Sequence, residues 1–93
     1  MTYTEDKITS FIEARIEDMH HTIEYANELE ETREEKISYA RWSIQRTSDE
    51  GFGALLFAKC YLHEIDQLTY DELNNRLMDE YMGLDRNLRS LIG

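Results

Sequence analysis

Apolar residues recur along the first third of the chain at the interval of a helix. Ile8, Ile12, Ile16, Met19, Ile23 and Ala26 follow one another at spacings of four, four, three, four and three. At about 100° per residue this keeps them on one stripe. The helix that carries them is expected to start after Thr4. The Thr4 hydroxyl can cap free backbone N–H groups there, and Glu5 and Asp6 sit well against the positive end of the helix dipole. Continued without a break, the stripe would reach Glu30, Arg33, Ile37, Ala40 and Ile44, and two of those five are charged. A turn near Leu29 to Thr32 removes the conflict, and Thr32 followed by Glu35 has the spacing of a capping box. The pattern favours a helical hairpin over one long rod, because so small a chain can hardly spare core positions.

The stretch Thr47 to Gly53 gathers Ser, Asp and two Gly between apolar segments and reads as the loop into a third helix. From 54 to 68, Ala54, Leu55, Phe57, Ala58, Tyr61, Leu62 and Ile65 cover a wide arc, with Leu56 and Cys60 on the other side. This predicts the most buried helix of the molecule. Thr69 and Glu72 repeat the capping-box spacing, so a fourth helix is expected from Tyr70, carrying Leu73, Leu77 and Tyr81 inward and stopping at Gly83. A last short helix with Leu84, Leu88 and Leu91 on one side would cover the open end of the bundle. Pro and Val are absent and no run alternates apolar with polar. The fold class is therefore all-α: one domain over residues 1–93, a small bundle of four to five helices.

Composition sharpens the functional picture. Ten Lys and Arg stand against twenty Asp and Glu, a net charge of −10, which argues against direct binding to nucleic-acid phosphate. The longest wholly apolar run, Ala54 to Ala58, is far short of the roughly 20 residues that span a bilayer, and the acidic N-terminus lacks a basic and apolar leader. A single Cys60 cannot close an internal disulfide, which fits a reducing compartment such as a cytoplasm.

The acids are segregated. Residues 1–35 hold eleven acids and three bases, whereas residues 36–63 carry two acids and four bases. On a continuous helix Asp6, Glu13, Glu17, Glu24, Glu28, Glu31 and Glu35 fall within an arc of about 60°, nearly opposite the apolar stripe. Carboxylates four residues apart are about 6 Å apart along the axis, a spacing like that of phosphates along a nucleic-acid strand. Such a row opposes helix formation by a few tenths of a kcal/mol per pair. It reads either as an ordinary solvated face or as a recognition surface for a basic partner.

On the second helix Tyr39, Trp42 and Arg46 lie at i, i+3 and i+7, away from Ile37, Ala40 and Ile44. They are expected to pack beneath the first or last helix, to form an exposed hot spot, or to line a homodimer seam.

Catalytic constellations are weak. Glu17 with His20 and Cys60 with His63 are spaced three apart, and together they could supply four zinc-type ligands, but no partner motif completes either pair. Cys60 reads as a small buried hydrophobe in an apolar wall, where a thiol is not activated. His20 and His21 interrupt the acidic surface and could make a partner interaction pH-dependent. Gly51-Phe52-Gly53 has neither the length nor the following Lys of a phosphate loop, and reads as a tight connection that could expose Phe52 as a small anchor. No metal or other cofactor is implied.

The sequence thus points to a non-catalytic binding protein. Its acidic helix would occupy a basic groove of a nucleic-acid-handling protein, as phage-encoded antagonists of host defence, DNA mimics and some antitoxins do. The expected contact residues are Asp6, Glu13, Glu17, Glu24, Glu28, Glu31, Glu35, Tyr39, Trp42 and Arg46. A helical homodimer is the second reading and a metal-binding bundle the third.

Overall fold

In the computed structural model, which describes residues 3–93, two long helices form a hairpin and a third lies along both. The order is α1 (Tyr3–Glu28), α2 (Arg33–Leu56), a π-helical turn (Phe57–Tyr61), α3 (Gln67–Arg86) and a final short helix α4 (Leu88–Leu91). No strand occurs among the described residues, and the rod measures 45 × 19 × 19 Å. Cross-helix contacts fix the directions. Arg15 meets Glu50 and Thr22 meets Ser43, so α1 and α2 are antiparallel. Arg76 meets Glu13 and Glu80 meets His20, so α3 runs parallel to α1.

The expected apolar stripe of α1 is the core. Ile12, Met19 and Ala26 are fully buried, Ile16 and Ile23 nearly so, and Ile8 packs against their edge. The chain turns where charged residues would have entered that stripe. Thr32 has an extended backbone (φ −66°, ψ 159°), and its Oγ1 accepts a hydrogen bond from the Glu35 N–H at 3.2 Å. The hairpin is therefore the correct alternative. α1 begins at Tyr3, one residue ahead of the expected cap, and the Thr4 side chain lies outside the described part of the molecule.

Several expectations fail. Thr47 to Gly53 is not a loop, because α2 continues through it to Leu56. The hydroxyls of Thr47 and Ser48 donate to Ser43 and Gln45 carbonyls of their own helix, so these polar side chains decorate the helix instead of ending it. Ile44, Ser48, Gly51 and Leu55 continue the buried stripe at spacings of four, three and four. Phe52 packs half-buried against the core and is not a free anchor.

Residues 54–68 are not the most buried helix. They contain the end of α2, the π-turn and an irregular link, and they expose Leu56, Phe57, Tyr61, Leu62 and Leu68. The Leu62 N–H donates to Phe57 O at 3.0 Å and the Glu64 N–H to Ala58 O at 2.9 Å, wider rings than an α-helix makes. His63 closes this end with a left-handed backbone, φ 56°, a conformation His tolerates better than most side chains.

The fourth helix does not begin at Tyr70. It begins at Gln67, capped by Asp66, whose Oδ1 accepts from the Thr69 N–H at 2.7 Å. It does not stop at Gly83 but runs to Arg86, where Asn87 turns the chain and donates its side-chain amide to Gly83 O at 2.8 Å. Leu73 and Leu77 point inward as expected, Leu84 is buried too but belongs to this helix and not to the last one, and Tyr81 packs half-buried against the core. At the end of the bundle Leu88 and Ile92 are buried whereas Leu91 is exposed. The tail is tied down by Asn27, which donates to Leu91 O at 3.0 Å and accepts from Gly93 N at 2.9 Å, and by Arg33, which donates to Ile92 O at 3.2 Å.

Candidate functional site

α1 is the ridge between two different grooves. Arg15 and Thr22 mark its flank toward α2, and Glu13, His20 and Asn27 mark its flank toward α3 and α4. Glu17 and Glu24 lie within a turn of His20 on that second flank or just outside it, and Glu28 follows Glu24 one turn on. All of them are exposed. α3 adds Glu72, Asp79 and Glu80, which line a surface groove of about 820 Å³ together with Arg76 and Gly83. None of these three acids stood out in the sequence, because what qualifies them is the parallel pairing of α3 with α1. Seven carboxylates, Glu13, Glu17, Glu24, Glu28, Glu72, Asp79 and Glu80, thus share one long face with Arg76 and Arg86 as its cations.

The hairpin shortens the expected seven-acid row. Asp6, Glu13, Glu17, Glu24 and Glu28 remain aligned on α1 over about 33 Å at a rise of 1.5 Å per residue. Glu31 lies in the turn and Glu35 on α2, so neither extends the line. These two carboxyls instead crowd each other. A hydrogen bond from one to the other, followed by their mutual repulsion, raises the pKa of Glu31 above the usual carboxylate range.

One member of the row is neutralised within the molecule. Arg76 donates to both oxygens of Glu13, with Nη2 to Oε2 at 2.7 Å, and these bonds hold the Glu13 carboxyl below its ordinary pKa. Arg76 also approaches Glu80, which His20 Nε2 meets at 3.1 Å. Glu17 has only the loose contact with His21 at 3.9 Å. The other cations serve other faces: Arg41 meets Asp85, Arg89 meets Glu34, Arg15 meets Asp18 and Glu50, and Lys59 lies over Tyr70. Between α2 and α3, Arg41 offsets Asp85, whereas the α1–α3 face keeps an excess of negative charge.

The groove between α1 and α2 is aromatic. Trp42 is not packed beneath a helix, whereas Tyr39 lies half-buried against the core. The indole is 58% exposed and the rings run in a row along the surface. Tyr25 of α1 meets Tyr39 with centroids 5.7 Å apart, and Tyr39 meets Trp42 at 6.5 Å. The Arg46 guanidinium lies over the Trp42 ring at 5.5 Å and near Glu50 at 4.0 Å. Tyr25, itself 52% exposed, is the member that the sequence did not indicate. Only the antiparallel register of the hairpin brings it opposite Tyr39.

The paired His and Cys motifs do not converge. His20 is directed to Glu80, and His63 lies beyond the π-turn, so Cys60 and His63 share no helix face. Cys60 is exposed and not part of an apolar wall. Among the described residues no group of three His, Cys, Asp or Glu side chains is placed to hold a metal ion. No helix among them is long and apolar enough to cross a membrane. Comparisons of the chain with family models, with curated proteins and with solved structures give no match.

Proposed function

We propose that this protein is a small non-catalytic binding protein, an inhibitor or regulator that covers a basic, nucleic-acid-binding surface of a partner protein with its α1–α3 face. The observation that carries this reading is the division of charge. Seven carboxylates collect on that face, while most of the chain's cations are held in ion pairs, ring contacts or backbone hydrogen bonds elsewhere. Like charges so placed oppose folding slightly, and a surface serving solubility alone does better with mixed signs. A complementary basic surface turns that cost into attraction and accelerates encounter. The density differs from that of a nucleic acid. α1 offers a carboxylate about every 8 Å on average, against about one charge per 1.7 Å of duplex, so the face steers and shields and does not reproduce a duplex charge for charge.

The test is capture of a partner from cell extract with graded salt washes and elution by heparin, a polyanion that competes for a basic site. The comparison is a variant with Glu17, Glu24, Glu28 and Glu72 all changed to Gln. None of these four has an arginine partner within the molecule, so helicity is expected to be unchanged and partner binding to fall at least about tenfold. A partner held equally by the variant, or one indifferent to heparin, refutes the proposal.

The exposure of Trp42 favours one second reading, a homodimer sealed through Tyr25, Tyr39 and Trp42. Two copies each carrying −10 repel, so such a dimer tightens as salt rises, the opposite of the main reading. Light scattering across salt and protein concentration, repeated with Trp42→Ala, decides this. A monomer under all conditions removes the dimer.

A further inference from the structure

We infer that the Tyr25–Tyr39–Trp42 row is an arginine-reading contact, taking planar guanidinium groups from the basic partner that the α1–α3 face attracts. The inference rests on the proposed function for its partner but on different atoms for its substance. The three rings are tilted to one another by 53° and 45° and form no closed stack, so one notch opens between Tyr25 and Tyr39 and another beside Trp42 alone. One notch is lined by Asp18, His21, Thr22, Tyr25 and Tyr39, with a volume of about 340 Å³. The next, about 320 Å³, is lined by Trp42, Gln45, Arg46 and Asp49. Each therefore combines an aromatic wall with a carboxylate, and Glu28 and Glu35 lie a helical turn from Tyr25 and Tyr39. An aromatic face beside a carboxylate suits a delocalised, weakly hydrated cation better than a compact ammonium.

The molecule already shows the interaction in miniature, since Arg46 rests over Trp42 at 5.5 Å. The indole remains 58% exposed beyond that contact, so it has surface left for a second guanidinium. The charge around the row selects the occupant. A nucleic-acid base would meet the same rings but would bring phosphates against Asp49, Glu28 and Glu35. A second copy would bring ten further negative charges. A basic segment satisfies both the rings and the rim.

Trp42 is the chain's single tryptophan, so its fluorescence reports this site directly. The probes are two peptides of equal charge, ten arginines and ten lysines, titrated into the intact protein at fixed salt. The arginine peptide is expected to perturb Trp42 emission saturably and to bind several-fold more tightly than the lysine peptide, about threefold per ring engaged. Tyr25→Ala and Trp42→Leu, followed by calorimetry, should bring the arginine affinity down to the lysine value and leave the lysine affinity unchanged. A Gln variant at Glu17, Glu24 and Glu72, which leaves Glu28 beside Tyr25 in place, should weaken both peptides together. Equal affinity for the two peptides, or silent tryptophan emission, overturns the arginine contact while leaving the acidic face standing. Unchanged binding of both peptides to the Gln variant counts instead against the proposed function. A shift of the aromatic variants from dimer to monomer assigns the row to self-association and also overturns the inference.

Discussion

At the scale of single residues, the glycines are where sequence and structure diverge most instructively. Gly51 and Gly53 look like a turn, yet both lie in α2 and no described glycine has a positive φ. Gly51 is there for space. A Cβ added to it would lie 2.6 Å from Leu77 Cδ2 and 3.4 Å from Ile12 Cδ1, and both of those side chains are fully buried. Gly53 faces open space. The same substitution should therefore act with opposite sign two residues apart. Gly53→Ala should gain up to about 1 kcal/mol from helix propensity alone. Gly51→Ala collects that gain but forces apart a filled core, a cost of about 1 to 3 kcal/mol, and should lose on balance. Urea midpoints of the two variants check this, and equal shifts would mean that Leu77 yields freely. A sequence reader sees only that Gly weakens helices. That this one admits a neighbouring helix depends on α3 passing beside it, which no local pattern states.

At the scale of elements, caps were legible where they were local and unopposed. Thr32 with Glu35 set the start of α2 because nothing nearby competed for the free N–H groups. Thr69 with Glu72 has the same spacing and failed, because Asp66 stands three residues ahead and takes the Thr69 N–H itself. The π-turn had no signature, since one extra residue per ring leaves composition untouched, and Phe57 and Tyr61 stack on each other at the surface with centroids 5.1 Å apart. These end contacts also set the response to acid. Glu13 and Glu34 are held below the ordinary glutamate value by hydrogen bonds from Arg76 and Arg89, and Asp66 by the Thr69 N–H, so the stability each contributes is present at neutral pH. It is lost as pH falls below about 4 and through their folded values. Glu31 has the opposite sign. Its raised pKa means that the folded state takes up a proton before the unfolded state does, so lowering pH from neutrality first relieves its repulsion with Glu35. The urea midpoint should hold or rise slightly between pH 7 and about 5 and then fall steeply. Glu31→Gln should flatten the first part without moving the second, and a midpoint that falls steadily from pH 7 would show that the Glu31–Glu35 contact has no weight.

At the scale of the whole molecule, the core stripe of α1 and the all-helical class were readable because both depend on spacing along one helix. The acidic face was half readable, because four of its carboxylates share α1 while three others arrive on α3 only through tertiary pairing. Its electrostatic consequence follows from the excess of twenty acids over ten bases. The ion pairs Glu13–Arg76, Arg41–Asp85 and Arg89–Glu34 are exposed, and pairs of that kind are worth at most about 1 kcal/mol each. Against them stands repulsion among carboxylates spaced alternately about 6 and about 10 Å apart along α1, well inside the screening length of about 30 Å at 0.01 M salt. Raising salt to about 0.1 M shortens that length to about 10 Å and weakens attraction and repulsion alike, but repulsion has more members. The melting temperature should therefore rise with salt by a few degrees, on a scale where 1 kcal/mol moves a domain of this size by about 4 to 8 °C. Partner binding should fall over the same range. The variant with Glu17, Glu24, Glu28 and Glu72 changed to Gln should melt higher at low salt and lose most of its salt dependence, since it removes the repulsion and leaves the three ion pairs intact. A melting temperature that drops as salt is added would mean that the pairs outweigh the row, and a face so compensated would hold no excess charge for a partner to answer.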